Sequence, residues 1–359
     1  MNRLFLSTAS AAVLLAGAAH AETTVDVGQV FLNVQDATNS IDVVHNNHGV
    51  AQDATNLGNG LIDERAGNAA NYDDVNQIAI GAQNAANDVS SYYGMWTDLE
   101  QNATNVTNLV NVQDVNELVQ ITAAVQNADN FADYGQAVTD VGQSASNIAN
   151  LAEVDDAKNH GDFILQLSLT GQDASNHLNF HGNPPPTHPA SGASNVEGLT
   201  QEATNVANLL NADDVRNVIQ GALLAQKATN TAEFGIGLTD GEQTATNVGN
   251  LINADEITNV AIQGAIGEQT AVNRAVTNAS GNHHAGSING LDQSASNLAN
   301  VITAQDGLTG SAGFIPEAVQ VSAVSQTARN VIDGNGGTGN LTQGATNVSN
   351  LVSITVDVE

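Results

Sequence analysis

Small, apolar and amide-bearing residues alternate along this chain with a period of two. Between Gln120 and Asn130, the positions of one parity are Gln120, Thr122, Ala124, Gln126, Ala128 and Asn130. In an extended strand these side chains share one face. Gln263, Ala265, Gly267, Gln269, Ala271 and Asn273 repeat the set, and Leu99, Gln101, Ala103 and Asn105 alternate likewise. The opposite parity often opens apolar, as at Leu165, Leu167 and Leu169 or at Ile262 and Ile266. A helical stripe can also be drawn through Val206, Leu209, Leu210, Val215, Val218 and Ile219, so an α-helical repeat is the alternative. The wealth of Asn, Thr, Ser and Gly opposes helix. A six-residue Gln–Gln spacing also preserves strand parity but leaves a helical face. The pattern predicts an all-β chain.

Two motifs alternate. Q-x-A-[ST]-N-x-x-N begins at Gln52, Gln101, Gln143, Gln201, Gln243, Gln293 and Gln343, at intervals of 49, 42, 58, 42, 50 and 50, with a partial copy at Gln35. Q-x5-Q-x-A-x-N occurs at Gln77/Gln83, Gln120/Gln126, Gln166/Gln172, Gln220/Gln226, Gln263/Gln269 and Gln320/Gln326. Its Ala is kept from Ala85 to Ala328, and its Asn at Asn87, Asn130, Asn176, Asn230, Asn273 and Asn330. Copying of a duplicated segment would also repeat these residues, but their neighbours have diverged while they have not. The shortest period is 42, so a half-repeat is about 21 residues, read as one strand–turn–strand coil of a β-solenoid. This places residues 22–51 as an N-terminal segment with a partial repeat, 52–351 as the solenoid and 352–359 as a C-terminal strand. Gly- and Pro-rich insertions near 181–196, 277–290 and 307–316 read as loops leaving the stack.

Stacked coils bring equivalent residues about 4.8 Å apart. Glutamine amides then hydrogen-bond above and below as ladders, which satisfies a buried amide that would otherwise be costly. The expected ladder residues are the motif glutamines from Gln101 to Gln343 together with Asn130, Asn176, Asn230, Asn273 and Asn330. The asparagines have a second reading, as left-handed residues that end the strand. Ala and Gly between the ladders let facing sheets approach. Asp114, Asp156, Asp214, Glu256 and Asp306 each stand 13 residues after a first-motif Gln. They read as a solvated turn, as a repulsive row that limits early assembly, or as a weak Ca²⁺ site without EF-hand grammar.

Charge and composition narrow the function. The chain has 38 Asp+Glu against 7 Lys+Arg, which disfavours nucleic acid and anionic lipid as partners. Cysteine is absent and only 12 of 359 residues are aromatic, so neither disulfides nor a deep aromatic core is expected. Disorder is the competing reading of such a composition, and fixed spacing argues against it. Arg3, the apolar run from Leu4 and Ala19-His20-Ala21 fit a secretory signal over 1–21, with Glu22 as the mature start and no transmembrane segment after cleavage.

The amide sets Gln120/Gln126/Asn130 and Gln101/Ala103/Asn105 resemble the curlin-type repeats of bacterial functional amyloids, which also combine a secretion signal with half-repeats of about 20 residues. Here Ala and Thr stand where curlin uses Gly and Tyr, and the Gln-to-Asn spacing is four rather than five. The resemblance implies a fibre-forming surface protein: a structural subunit of an extracellular fibre or biofilm matrix, self-associating and served by a secretion or nucleation partner. The short signal without an LPXTG-type wall motif points to a Gram-negative surface. A monomeric β-solenoid adhesin binding a sugar through its loops is the alternative. No G-x-S-x-G, H-E-x-x-H or phosphate-loop pattern occurs, so no enzyme and no cofactor are expected. His45/His48 and His283/His284 read as loop residues rather than metal ligands.

Overall fold

A computed structural model describes residues 25–43, 47–63, 72–91, 96–134, 138–157, 163–180, 196–235, 237–277, 287–308, 317–334 and 336–354. The segment read as a secretory signal, His45, His283, His284 and most of the three insertions lie outside them. The described residues form eleven β-strands and no helix: β1 (Val25–Val43), β2 (Asn47–Ile62), β3 (Tyr72–Ser91), β4 (Trp96–Tyr134), β5 (Val138–Ala157), β6 (Phe163–Phe180), β7 (Val196–Phe234), β8 (Leu238–Thr277), β9 (Ile288–Leu308), β10 (Glu317–Asp333) and β11 (Thr338–Ile354). The helical-repeat alternative is overturned. Val206, Leu209, Leu210, Val215, Val218 and Ile219 all lie in the extended β7.

Every pairing is parallel, and motif lies on motif. Sheet I carries the first motif and stacks β2, the first half of β4, β5, the first halves of β7 and β8, β9 and β11. Sheet II carries the second motif and stacks β1, β3, the second half of β4, β6, the second halves of β7 and β8, and β10. Because β4, β7 and β8 run unbroken through both stacks, all eleven strands join one hydrogen-bonded network. Gln101 lies between Gln52 and Gln143, and Gln120 between Gln77 and Gln166. Neighbouring layers are therefore a full period apart. A half-repeat is one long strand in one sheet, not a coil of its own. The physical reason is amide spacing: the two motifs place their amides at different offsets, so only copies of the same motif can match side chain to side chain.

The register corrects four other expectations. Gln35 pairs with Gln83, and Gln29 with Gln77. The segment read as a partial first motif is thus a copy of the second, Gln29-x5-Gln35-x-Ala37-x-Asn39. Val196, Thr277, Ile288–Gly290 and Gly307–Leu308 belong to strands, so the insertions are narrower than their sequence borders. Val352–Ile354 continue β11, and residues 355–359 lie outside the described chain. The second-motif asparagines lie inside strands with φ negative. The positive-φ residues are elsewhere: Gly49, Asp98, Asp140, Gly198, Asp240, Gly290 and Asn340, each three residues before a first-motif Gln, and Gly267 inside β8.

The core explains the composition. Between the sheets runs a buried alanine row that includes Ala103, Ala145, Ala203, Ala128, Ala174 and Ala228. Large side chains gather at the two margins. One margin holds Trp96, Tyr134, Phe180, Phe234, Leu99 and Leu199. The other holds Val110, Val115, Leu118, Ile164, Leu210 and Ile252. A narrow middle needs only methyl groups, so few aromatics suffice.

Candidate functional site: amide ladders and open stack ends

The glutamines of each motif position stand in axial contact. In sheet I, Nε2 of Gln101 donates to Oε1 of Gln52 at 2.8 Å, Gln143 to Gln101 at 2.9 Å, and Gln201, Gln243, Gln293 and Gln343 each to the preceding copy at 2.7 Å. In sheet II one ladder runs through Gln29, Gln77, Gln120, Gln166, Gln220, Gln263 and Gln320, at 2.6–2.9 Å. A second runs through Gln35, Gln83, Gln126, Gln172, Gln226, Gln269 and Gln326, at 2.8–3.0 Å. Asn39, Asn87, Asn130, Asn176, Asn230, Asn273 and Asn330 form a third, each bond 2.9 Å.

Each amide has two N–H groups, and the second fastens the sheets across the core. Gln77 donates to the Leu109 carbonyl at 2.9 Å, Gln83 to Val106 at 3.0 Å and Asn87 to Asn102 at 2.7 Å. Acceptor numbers fall as donor numbers rise, so the facing sheets run antiparallel across the core. The same bonds recur in the next layer, from Gln120 to Leu151, Gln126 to Ile148 and Asn130 to Ser144. Each ladder residue thus works along the axis and across the core.

Sequence reasoning missed two ladders in sheet I. Asn56, Asn105, Asn147, Asn205, Asn247, Asn297 and Asn347 bond in series at 2.8–3.0 Å. Asn59, Asn108, Asn150, Asn208, Asn250, Asn300 and Asn350 do so at 2.7–2.9 Å. Both asparagines are written in the first motif. The second stands seven residues after the Gln, on the wrong parity for the inner face. The strand corrects that with a bulge: pairing skips Thr107 and Ala149 while Asn108 still meets Asn150. The skipped position is Gly58, Thr107, Ala149, Ala207, Gly249, Ala299 or Ser349. It turns inward beside Asn108, which admits small residues only. The left-handed row was also legible. Gly, Asp and Asn are the residues that tolerate φ > 0, and all seven positions hold one of them.

The acidic row is real in part. Asp114 pairs with Asp156, Asp156 with Asp214, and Asp214 with Glu256. Glu256 then meets Gly307, because a register shift displaces Asp306. A second acidic strip borders the left-handed row, where Asp98, Glu100, Asp140, Glu202, Asp240 and Glu242 line an open trough. No group of three or more metal-ligating side chains forms among the described residues, and His48 bonds to Thr97. Asp88 is held above its usual carboxyl range, first by partial burial and then by Asp129, Asp133 and Asp42.

The ends of the stack are open. Glutamine ladders donate toward β1 and β2, whereas asparagine ladders donate toward β10 and β11. At the first layer, Gln29, Gln35 and Gln52 each spend one N–H on a carbonyl, of Gly60, Leu57 and Asp88. Their other N–H points past the end. At the last layer, Oε1 of Gln320, Gln326 and Gln343 has no following glutamine to accept from. Among the described residues no helix is long and apolar enough to cross a membrane. No protein-family model, curated protein or solved structure matches this chain.

Proposed function

We propose that this chain is a β-solenoid structural subunit, curlin-like in design, that is secreted and polymerises into an extracellular fibre or biofilm matrix. One observation carries the reading: the two ends are complementary. The first layer offers glutamine N–H donors and asparagine Oδ1 acceptors. The last layer offers glutamine Oε1 acceptors at Gln320, Gln326 and Gln343 and asparagine N–H donors at Asn347 and Asn350, while Asn330 spends both N–H groups on the Gln293 and Gly344 carbonyls. A second copy set on the end in register continues five ladders, with Gln29, Gln35 and Gln52 over Gln320, Gln326 and Gln343, and the sixth once Asn330 turns one N–H from the Gln293 carbonyl. The contact is head-to-tail, a geometry that does not close and so yields filaments. Unpaired strand edges supply the backbone bonds.

The test uses the chain from Glu22 onward, incubated at micromolar concentration and viewed by electron microscopy with fibre diffraction. Unbranched filaments with a meridional spacing of about 4.8 Å are expected. A concentrated protein that stays monomeric removes the proposal and favours the adhesin reading. In the variant Gln29→Glu/Gln35→Glu, the first layer still accepts from Gln77 and Gln83 but presents carboxylate oxygens to the oxygens of the next copy. Elongation is expected to slow at least tenfold at neutral pH, with the monomer's circular dichroism unchanged.

A further inference from the structure

The outer face of sheet II carries an apolar band that the ladders do not use. It covers the outward positions one before and one, three and five after each first glutamine of the second motif. Across all seven layers this band holds a single charged residue, Glu268, in a chain with 38 acids. In its interior layers Ile80 is 51% exposed, Val125 62%, Leu169 54%, Leu223 50% and Ile266 58%. Ile80, Leu169, Leu223 and Ile266 fall in one column, broken by Ala123. The relief is uneven. Val125 and Leu169 stand as knobs beside hollows at Gly81, Gly171 and Ala225. Acids border the band on one side, at Asp26, Asp74, Glu117 and Glu317. The outer face of sheet I differs: its column three after the first-motif Gln is Thr or Ser in every layer.

We propose that this band is a lateral interface for a second copy of the chain, set face to face. Three features select that occupant. Knobs and hollows recur at the strand spacing of about 4.8 Å, and only another stack of the same pitch matches them layer for layer. The band is charge-poor while one of its borders is acidic, so it fits an equally uncharged surface. Its area is also suitable. Seven layers by about 20 Å along the strand give roughly 700 Å² per copy, or about 1,400 Å² for a pair, near the lower end of stable interfaces. A single pair is therefore weak. This part rests on the fibre reading: in a filament the bands join end to end, the shared area grows with length, and lateral pairing follows elongation.

The discriminating variant is Leu169→Asp/Leu223→Asp, at outward positions that leave the core and both ends intact. Mass-per-length microscopy of wild-type filaments is expected to give two chains per about 34 Å, which is seven layers at the strand spacing. The variant is expected to elongate normally and give one. One chain per 34 Å in the wild type, or two in both proteins, overturns the lateral interface while leaving the fibre reading standing. If neither protein forms filaments, the fibre reading fails and sedimentation of the soluble chains decides. A wild-type dimer lost at least tenfold in affinity in the variant sustains the interface, and a wild-type monomer at hundreds of micromolar removes it.

Discussion

Single side chains are held here by satisfaction rather than by bulk. Gln120 donates to Gln77 and to the Leu151 carbonyl and accepts from Gln166. Gln120→Ala strands three polar groups at once, each worth about 1–3 kcal/mol when buried without a partner. A loss of at least about 3 kcal/mol by denaturant unfolding is expected, against under about 1 kcal/mol for Gln320→Ala, whose end of the ladder meets water. Equal losses at the two sites would refute the ladder account of stability. Tyr134 shows the converse. Its hydroxyl is buried and finds no partner among the described residues; burial first, and Asp133 second, push its ionisation upward. Tyr134→Phe removes an unsatisfied group and keeps the contact with Trp96, whose ring centroid lies 5.4 Å away. A gain of about 1 kcal/mol is expected.

Strands depend on two irregularities that repeat in every layer of sheet I. The bulge at the Thr107 position turns the second asparagine of each motif inward, and the left-handed residue before each first-motif Gln resets parity so that Trp96 and Leu99, three residues apart, share the inner face. Both stack in register, so a fault in one layer meets intact copies on either side. At the left-handed row, Asp and Gly interlock: a Cβ on Gly198 would lie 2.6 Å from Oδ1 of Asp140. Gly198→Ala combines that contact with a left-handed backbone and is expected to cost about 1–2 kcal/mol, read as a fall in melting temperature. Asp140→Gly in the same chain should recover part of the loss. A different compensation surrounds Leu224, which occupies a place where Ala124 and Thr170 stand in other layers. Gly249 faces it from sheet I, where a Cβ would approach its Cδ1 to 3.0 Å, and Gly267 lies on its backbone in the next layer.

The molecule as a whole is strongly acidic, with 38 Asp+Glu against 7 Lys+Arg, and its register sets acidic positions beside acidic positions. Asp114, Asp156, Asp214 and Glu256 fall in one row, and Asp88 sits among Asp42, Asp129 and Asp133. Because the folded state raises the Asp88 pKa, it binds the proton more readily than the unfolded chain. Stability is therefore lower above the folded pKa and rises as pH falls through that value toward the ordinary 3.8. Asp88→Asn should raise the melting temperature more at pH 7 than at pH 4. In the proposed fibre the same repulsion acts between copies, so the assembly lag is expected to shorten between about pH 8 and pH 4, the range that includes carboxylate titration. An unchanged or longer lag in acid would exclude charge as the brake.

Strand parity and most motif positions were open to reading from the residues, because an extended chain sends alternate side chains to opposite faces and a repeated environment demands a repeated side chain. The layer size was not, since 21 and 42 are equally good periods until amides are matched across real strands. Nor was the inward turn of Asn108, which contradicts parity unless a bulge at Thr107 is known. The direction of donation, opposite for glutamine and asparagine, belongs to three-dimensional packing alone: it depends on which facing carbonyl claims the second N–H of each amide. That choice gives the stack two unlike ends.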